Sequence, residues 1–88
     1  MIDTQSLSIL REIERTGSLT QAADRLHMTQ SAVSHAMRRF EERYGVTLWE
    51  REGRGIRLTQ AGDYLATLAH RLLPQLVHAE TVLEDFAG

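Results

Sequence analysis

The chain has 88 residues, a formal net charge of −2 and no cysteine. A chain this short predicts one small domain with a marginal core, which dimerisation would supplement, and it is short enough to be a piece of a longer protein. The lack of cysteine excludes a disulfide framework, thiolate metal sites and a cysteine nucleophile.

The positive charge is concentrated in the middle of the chain. Residues 25–57 contain seven arginines and four glutamates, whereas the segments on either side are both net acidic. Clustered cations matter more for binding nucleic acid than the overall charge does. The middle segment is therefore a candidate binding surface.

A first helix is predicted at residues 4–16, with Asp3 or Thr4 as its N-cap and Gly17 at its end. Its apolar side recurs at helical spacing. That side consists of Leu7, Ile9, Leu10 and Ile13.

Two further helix starts follow closely. Ser18 and Gln21 match a capping box, in which the Ser18 hydroxyl accepts a backbone hydrogen bond and Gln21 reaches back. This predicts a second helix from about residue 19 to 26. Thr29 offers another N-cap after a break at His27-Met28. A short helix, a tight turn and a longer helix form a candidate helix-turn-helix.

The third helix, which Gly45 ends as a left-handed C-cap, has two chemically different faces. The apolar face consists of Val33, Ala36, Met37, Phe40 and Tyr44. The polar face consists of Gln30, Ser31, Ser34, His35 and Arg38. Small and hydrogen-bonding side chains suit entry into a DNA major groove, where amides and guanidinium groups read base edges. An ordinary solvated face is the alternative, and the capped helix and tight turn before it favour DNA.

A small hairpin is predicted after Gly45. Residues 46–51 favour a strand, residues 52–55 a turn, and residues 56–58 a returning strand. Such a hairpin beside a helix-turn-helix is a wing. Arg51 and Arg54 lie on it as candidate contacts to a phosphate backbone or minor groove, with solvated turn charges as the alternative.

The last predicted element is a long helix from Gln60 to about Ala87, capped by Thr59, with Pro74 predicting a bend. Its apolar residues recur at steps of four and three, as in a coiled coil, and predict self-association. This predicted dimerisation set is Leu65, Ala69, Leu72, Leu76, Ala79, Leu83 and Phe86.

Taken in order, these motifs resemble the N-terminal DNA-binding region of LysR-type transcriptional regulators over nearly the whole chain. Residues 17–23 with Leu26 resemble the second-helix signature, and residues 29–34 the start of the recognition helix. Residues 48–54 resemble the wing, and residues 58–62 the entry to the linker helix. His35 stands where arginine is common in the family.

The resemblance implies a mainly α fold, a winged helix-turn-helix at residues 1–58 followed by a linker and dimerisation helix at residues 59–88. It implies a bacterial regulator whose dimer places recognition helices, about residues 30–43, in successive major grooves of an interrupted inverted repeat. It also implies a C-terminal effector-binding domain absent from this chain, where a small-molecule inducer would bind, and a tetrameric full-length protein. No cofactor is expected in this chain.

Carried over residue by residue, the resemblance implies that Gln30 and Ser34 read base edges. Arg51 and Arg54 would be the wing contacts. The remaining implied contacts, to flanking bases or phosphates, are Ser18, Thr20, Thr29, Ser31, His35 and Arg38.

An enzyme is not expected. Ser34 and His35 are adjacent rather than facing, and His70 and His78 lack the third ligand that a metal site would want. A winged helix used only for protein–protein assembly is the stronger alternative. The N-terminus lacks the features of a secretory signal and no apolar run spans a bilayer, so we expect a cytoplasmic protein without membrane contact.

Overall fold

A computed structural model describes residues 1–88 and has four helices and one two-stranded sheet. The elements in chain order are α1 (Thr4–Thr16), α2 (Leu19–Leu26), α3 (Gln30–Tyr44), β1 (Trp49–Glu52), β2 (Gly55–Leu58) and α4 (Gln60–Ala87). This arrangement confirms the predicted winged helix-turn-helix with a long C-terminal helix.

Every helix begins at a side-chain cap. Asp3, Ser18, Thr29 and Thr59 each accept a hydrogen bond from the backbone N–H three residues on, at 2.6–3.2 Å. These bonds satisfy donors that the first turn of a helix leaves without partners. The four caps therefore set where the helices start.

The predicted return contact from Gln21 was wrong. The Ser18 N–H donates instead to Thr16 Oγ1 at 3.3 Å, and the Thr16 hydroxyl also contacts the Glu12 carbonyl oxygen at 2.8 Å. Thr16 thus organises the turn between α1 and α2, and the Gln21 side chain is exposed.

The turn between α2 and α3 is short because His27 adopts a left-handed conformation, with φ 55°. The Met28 N–H then donates to the Ala23 carbonyl at 3.0 Å, which closes α2. Residues other than glycine seldom adopt the left-handed backbone conformation, and histidine is one of those that adopt it more often. Thr29 follows at once as the cap of α3.

The core takes residues from all four helices. The first three helices contribute Leu10, Ile13, Ala23 and Met37 among others, and α4 lies along α1 and contributes as well. The contribution of α4 consists of Leu65, Ala66, Ala69 and Leu73. Tyr44, predicted on the apolar face of α3, is 41% exposed, and Leu26 at the end of α2 is only partly buried.

The wing is a β-hairpin with a two-residue loop. Its first strand begins at Trp49, three residues later than predicted, and pairs antiparallel with β2 from Trp49–Leu58 to Glu52–Gly55. Gly53 has φ 59° at the first loop position, as the glycine of a type II′ turn does.

Two close backbone approaches attach the wing to the helices. The Ile56 N–H donates to the Gly17 carbonyl at 3.1 Å, and a Cβ on Gly55 would stand 2.7 Å from the same oxygen. At the start of α4, a Cβ on Gly62 would collide with the Leu48 carbonyl oxygen. Glycine is required at both positions because backbone occupies the space.

Beyond Leu73, α4 leaves the body as a rod. No residue after Leu73 is buried, and the molecule extends 50 Å along its longest axis. The helix continues through Pro74. None of the four helices combines the length and the apolar character that crossing a bilayer requires.

Candidate nucleic-acid interface

Burial of one side of α3 turns its polar side outward. Val33, Met37 and Phe40 are buried, and they orient the helix on the body. The five predicted residues are exposed except Ser34, which is half-buried, and none of their side chains hydrogen-bonds within the chain. These five, which we call the reading row, are Gln30, Ser31, Ser34, His35 and Arg38. They line one open groove together with Leu19 and Ala32.

The reading row has suitable chemistry for a base-pair edge. Ser31 and Ser34 have short side chains, so another molecule can approach the helix backbone closely. Gln30 offers both amide donors and an acceptor, and Arg38 offers five donors in a planar fork. A helix of this kind fits the width of a major groove.

The three predicted hydroxyl contacts lie at helix starts. Ser18 and Thr29 use an oxygen lone pair to cap α2 and α3, which leaves each hydroxyl hydrogen available for donation. Thr20 is exposed in the first turn of α2. Hydroxyls and backbone N–H groups at helix starts are common phosphate donors.

The wing separates its charges between two faces. Arg57 pairs with Glu52 at 3.1 Å and with Glu50 at 3.8 Å. Arg51 and Arg54 form no ion pair, so the two predicted wing contacts are the unpaired cations of the hairpin.

Arg51 stands close to α3. It pairs with Ile56 in the sheet register and shares a sheet face with Trp49. With these two residues it lines a small cavity that also includes Leu19 and Ser34. Arg51 is thus brought beside the reading row, whereas Arg54 lies at the outer tip of the hairpin.

A buried carboxylate that the sequence analysis missed joins α1 to α2. Glu12 is 5% exposed and accepts a hydrogen bond from Arg25 Nε at 3.0 Å and one from Arg15 at 3.3 Å. Burial on its own would raise the pKa of Glu12, but the Arg25 hydrogen bond and the two positive charges outweigh burial and lower that pKa. The signal was weak, because glutamate at a helical surface is ordinarily solvated.

The dimerisation set needs a correction. Leu65 is 7% exposed and Ala69 fully buried, because both pack in the chain's own core. They are therefore unavailable to a second copy. Leu72 is half-buried, and the remaining predicted residues, all on the rod or at its base, are exposed: Leu76, Ala79, Leu83 and Phe86.

Neither His70 nor His78 lies in a group of side chains that could coordinate a metal ion. His70 Nε2 lies 2.6 Å from Glu14 Oε1, which links α4 to α1, and His78 lies on the exposed rod. No group of three potential ligands comes together.

Residues 4–63 match the family described as bacterial regulatory helix-turn-helix protein, lysR family. The chain is 38% identical over 79 residues to the HTH-type transcriptional regulator MetR of Haemophilus influenzae, covering 90% of this chain and 26% of that protein. It therefore spans about a quarter of the length of this relative.

Solved structures show the same architecture. A complex of the CbnR DNA-binding domain with DNA superposes with a TM-score of 0.85 at 30% identity, covering 99% of this chain and 100% of that one. A complex of the BenM DNA-binding domain with catB site 1 DNA gives 0.89 at 25% identity, covering 99% and 98%.

Proposed function

This chain belongs to the LysR family of bacterial regulatory helix-turn-helix proteins, and we propose that it binds specific sequences of double-stranded DNA as part of a transcription regulator. The reading row is the observation that carries this proposal. Five side chains on one helix face lack partners within the chain, although the opposite face is buried. The likeness to CbnR and BenM domains in complex with DNA supports the same use of the fold.

In the proposed complex, α3 enters the major groove with its N-terminal half. Gln30 and Ser34 contact base edges, because both point outward from the first two turns. Ser31, His35 and Arg38 contact flanking bases or phosphates. A base-edge contact specifies sequence, and a phosphate contact only positions the protein.

The other proposed contacts are to the phosphate backbone. Ser18, Thr20 and Thr29 donate hydroxyl hydrogens at the starts of α2 and α3. Arg51 acts close to α3, and Arg54 reaches the backbone or minor groove from the tip of the wing. Arg57 is excluded because Glu50 and Glu52 already neutralise it.

We further propose that two copies bind an interrupted inverted repeat through α4. A two-fold dimer presents two reading rows related by the symmetry that an inverted repeat has. We propose a functional division into a DNA-binding unit at 1–58 and a linker at 59–88. It does not coincide with a structural boundary, because the first half of α4 packs in the core of the body. The rod after Leu73 is the part free to pair.

For the whole protein, we propose a further C-terminal domain that binds a small-molecule effector, and a tetrameric assembly. The relative MetR is about four times as long as its matched part, which leaves room for such a domain. Nothing in this chain is proposed to hold a cofactor or to perform catalysis.

The test is selection of bound sequences from a random duplex pool, followed by binding measured against salt concentration. Recovery of a two-fold symmetric sequence, bound at least 10³-fold more tightly than random duplex, is the expected result. Binding that is weak and equal for all sequences contradicts sequence-specific recognition. No binding in dilute buffer favours a protein–protein assembly module instead.

A further inference from the structure

The wing and α3 face each other across a small cavity, which we call the cleft. Its volume is about 180 Å³. Ordinary small-molecule pockets measure roughly 300–1,000 Å³, so the cleft suits a chemical group smaller than a whole nucleotide. The residues that line it are Leu19, Ser34, Trp49, Glu50, Arg51 and Ile56.

Strand alternation decides which side chains of the wing face the cleft. Trp49 and Arg51 lie two positions apart on β1 and therefore leave the sheet on the same face. Glu50 also lines the cleft, but its side chain leaves from the opposite face, where a carboxylate oxygen lies 3.8 Å from Arg57. The wing thus turns a tryptophan and an arginine toward α3.

Three hydrogen-bond donors of the cleft have no acceptor within the chain. Arg51 makes no ion pair, and the Ser34 hydroxyl makes no hydrogen bond. The Trp49 indole N–H makes none either, although the residue is half-buried, and it is open to solvent. A largely covered indole N–H ordinarily has a partner, so the cleft has the donors of a binding site without their acceptor.

These donors require a ligand that only accepts hydrogen bonds. Indole and guanidinium groups carry no acceptor atom. A base-pair edge presents donors as well as acceptors, whereas a phosphodiester presents anionic oxygens alone. Leu19 and Ile56 add apolar surface to the cleft, and a low local dielectric strengthens hydrogen bonds to an anion. A phosphate group is the ligand that this donor set fits.

Resting on the proposed function, we propose that the cleft holds one phosphate of the DNA backbone, with the Trp49 indole N–H as one of its three donors. Arg51 donates through its guanidinium group and Ser34 through its hydroxyl hydrogen. The Ser34 oxygen still accepts a hydrogen bond from a base, so its proposed base contact is retained. The backbone strand that separates two grooves must pass between a helix in one and a hairpin in the other, which is where the cleft lies.

Single methylphosphonates test the site one phosphate at a time. Each removes the charge of one phosphate from the duplex that the selection described above recovers. At one position in each half-site, we expect the replacement to weaken binding of the parent chain and to weaken binding of Trp49→Phe much less. Arg51→Gln is expected to show the same coupling at the same phosphate. At every other position, parent and variants should lose affinity by equal factors.

Trp49→Phe keeps an aromatic ring in the cleft and removes its N–H. We expect it to weaken binding roughly 5- to 50-fold on selected and random duplexes alike. It should leave the dependence on salt unchanged, because indole is neutral, whereas Arg51→Gln should flatten that dependence. Tyr64→Phe is the matched control, since it removes a polar hydrogen from an exposed aromatic side chain outside the cleft.

Two outcomes would overturn the site while leaving DNA binding intact. Trp49→Phe binding as tightly as the parent would show that the indole makes no contact. Coupling of Trp49→Phe and Arg51→Gln to different phosphates, or to none, would show that the cleft does not hold one phosphate. If circular dichroism shows Trp49→Phe unfolded, Ser34→Ala replaces it in the comparison. A parent chain that binds no duplex would reject the proposed function, and this site with it.

Discussion

Glu41 Oε2 accepts a hydrogen bond from the Leu48 backbone N–H at 2.7 Å. Glu41 lies in the last turns of α3, and Leu48 is fully buried immediately before β1. One bond thus joins α3, the proposed recognition helix, to the residue that precedes the wing. Both elements are proposed to contact the same duplex, and this bond helps to hold them in one relative placement.

We expect Glu41→Ala to lower the free energy of unfolding by about 1–3 kcal/mol, because the Leu48 N–H would be left buried without an acceptor. Glu42→Ala is the matched control, since it removes the same charge from an exposed neighbouring position and should change stability by less than about 0.5 kcal/mol. Urea denaturation of both variants measures the difference. Equal stability of the two variants would show that the bond contributes nothing.

The Glu12 contacts predict how the fold responds to acid. The pKa of Glu12 in the folded chain lies below its ordinary value of 4.5, through the Arg25 hydrogen bond and the charges of Arg25 and Arg15, which together outweigh burial. A lowered folded pKa means that the unfolded chain binds the proton more readily. The stabilisation is therefore complete above pH 4.5 and is lost as the pH falls through the folded pKa.

Glu12→Gln removes this titration. We expect the variant to be less stable than the parent at pH 7 and to lose less stability between pH 5 and pH 3. Thermal midpoints across this range measure both effects. Asp3, whose pKa is lowered chiefly by the hydrogen bond from the Ser6 N–H, contributes acid sensitivity of the same sign in both proteins. Parallel pH profiles of parent and variant would contradict the account.

Local signals made much of the fold predictable. Each helix begins with a Ser, Thr or Asp whose oxygen caps it, and such caps act within four residues of chain. The contribution of α4 to the core was not predictable in the same way. A stripe of leucines and alanines has the same spacing whether it faces its own body or a partner, so Leu65 and Ala69 were assigned to the wrong surface.

The difference between local signals and tertiary contacts also explains which parts of the candidate interface could be predicted from the sequence. The reading row follows from helical periodicity once α3 is located. The pairing of Arg57 with Glu50 and Glu52 follows only from the hairpin register, in which Glu50 lies opposite Arg57. The Glu12–Arg25 contact joins residues 13 positions apart on different helices, and no local pattern marks it.

Gln30 and Gln60 provide a matched pair for testing base recognition. Each is the first residue of a helix and follows a threonine cap, but only Gln30 lies on the reading row. We expect Gln30→Ala to weaken binding to the selected sequence by about 1–3 kcal/mol and to relax base choice at one position. Gln60→Ala should change neither property. Equal loss on selected and random duplexes would show that Gln30 contacts the backbone instead.

Arg54 and Arg57 lie in the same hairpin and differ in whether an acidic partner is present. Arg57 is held between Glu50 and Glu52, whereas Arg54 at the turn has no such partner. Each contact between a free cation and a phosphate releases about one counterion, which steepens the dependence of binding on salt. We expect Arg54→Ala to weaken binding to all sequences and to reduce the slope of log K against log salt by about 1.

Arg57→Ala removes the same charge but should leave that slope nearly unchanged, because its charge is already compensated within the wing. Fluorescence anisotropy over a salt series, on one selected and one random duplex, measures both slopes. If Arg57→Ala flattens the slope as much as Arg54→Ala does, the carboxylates of Glu50 and Glu52 release Arg57 when DNA binds. The wing would then contact the duplex through its outer face as well as its tip.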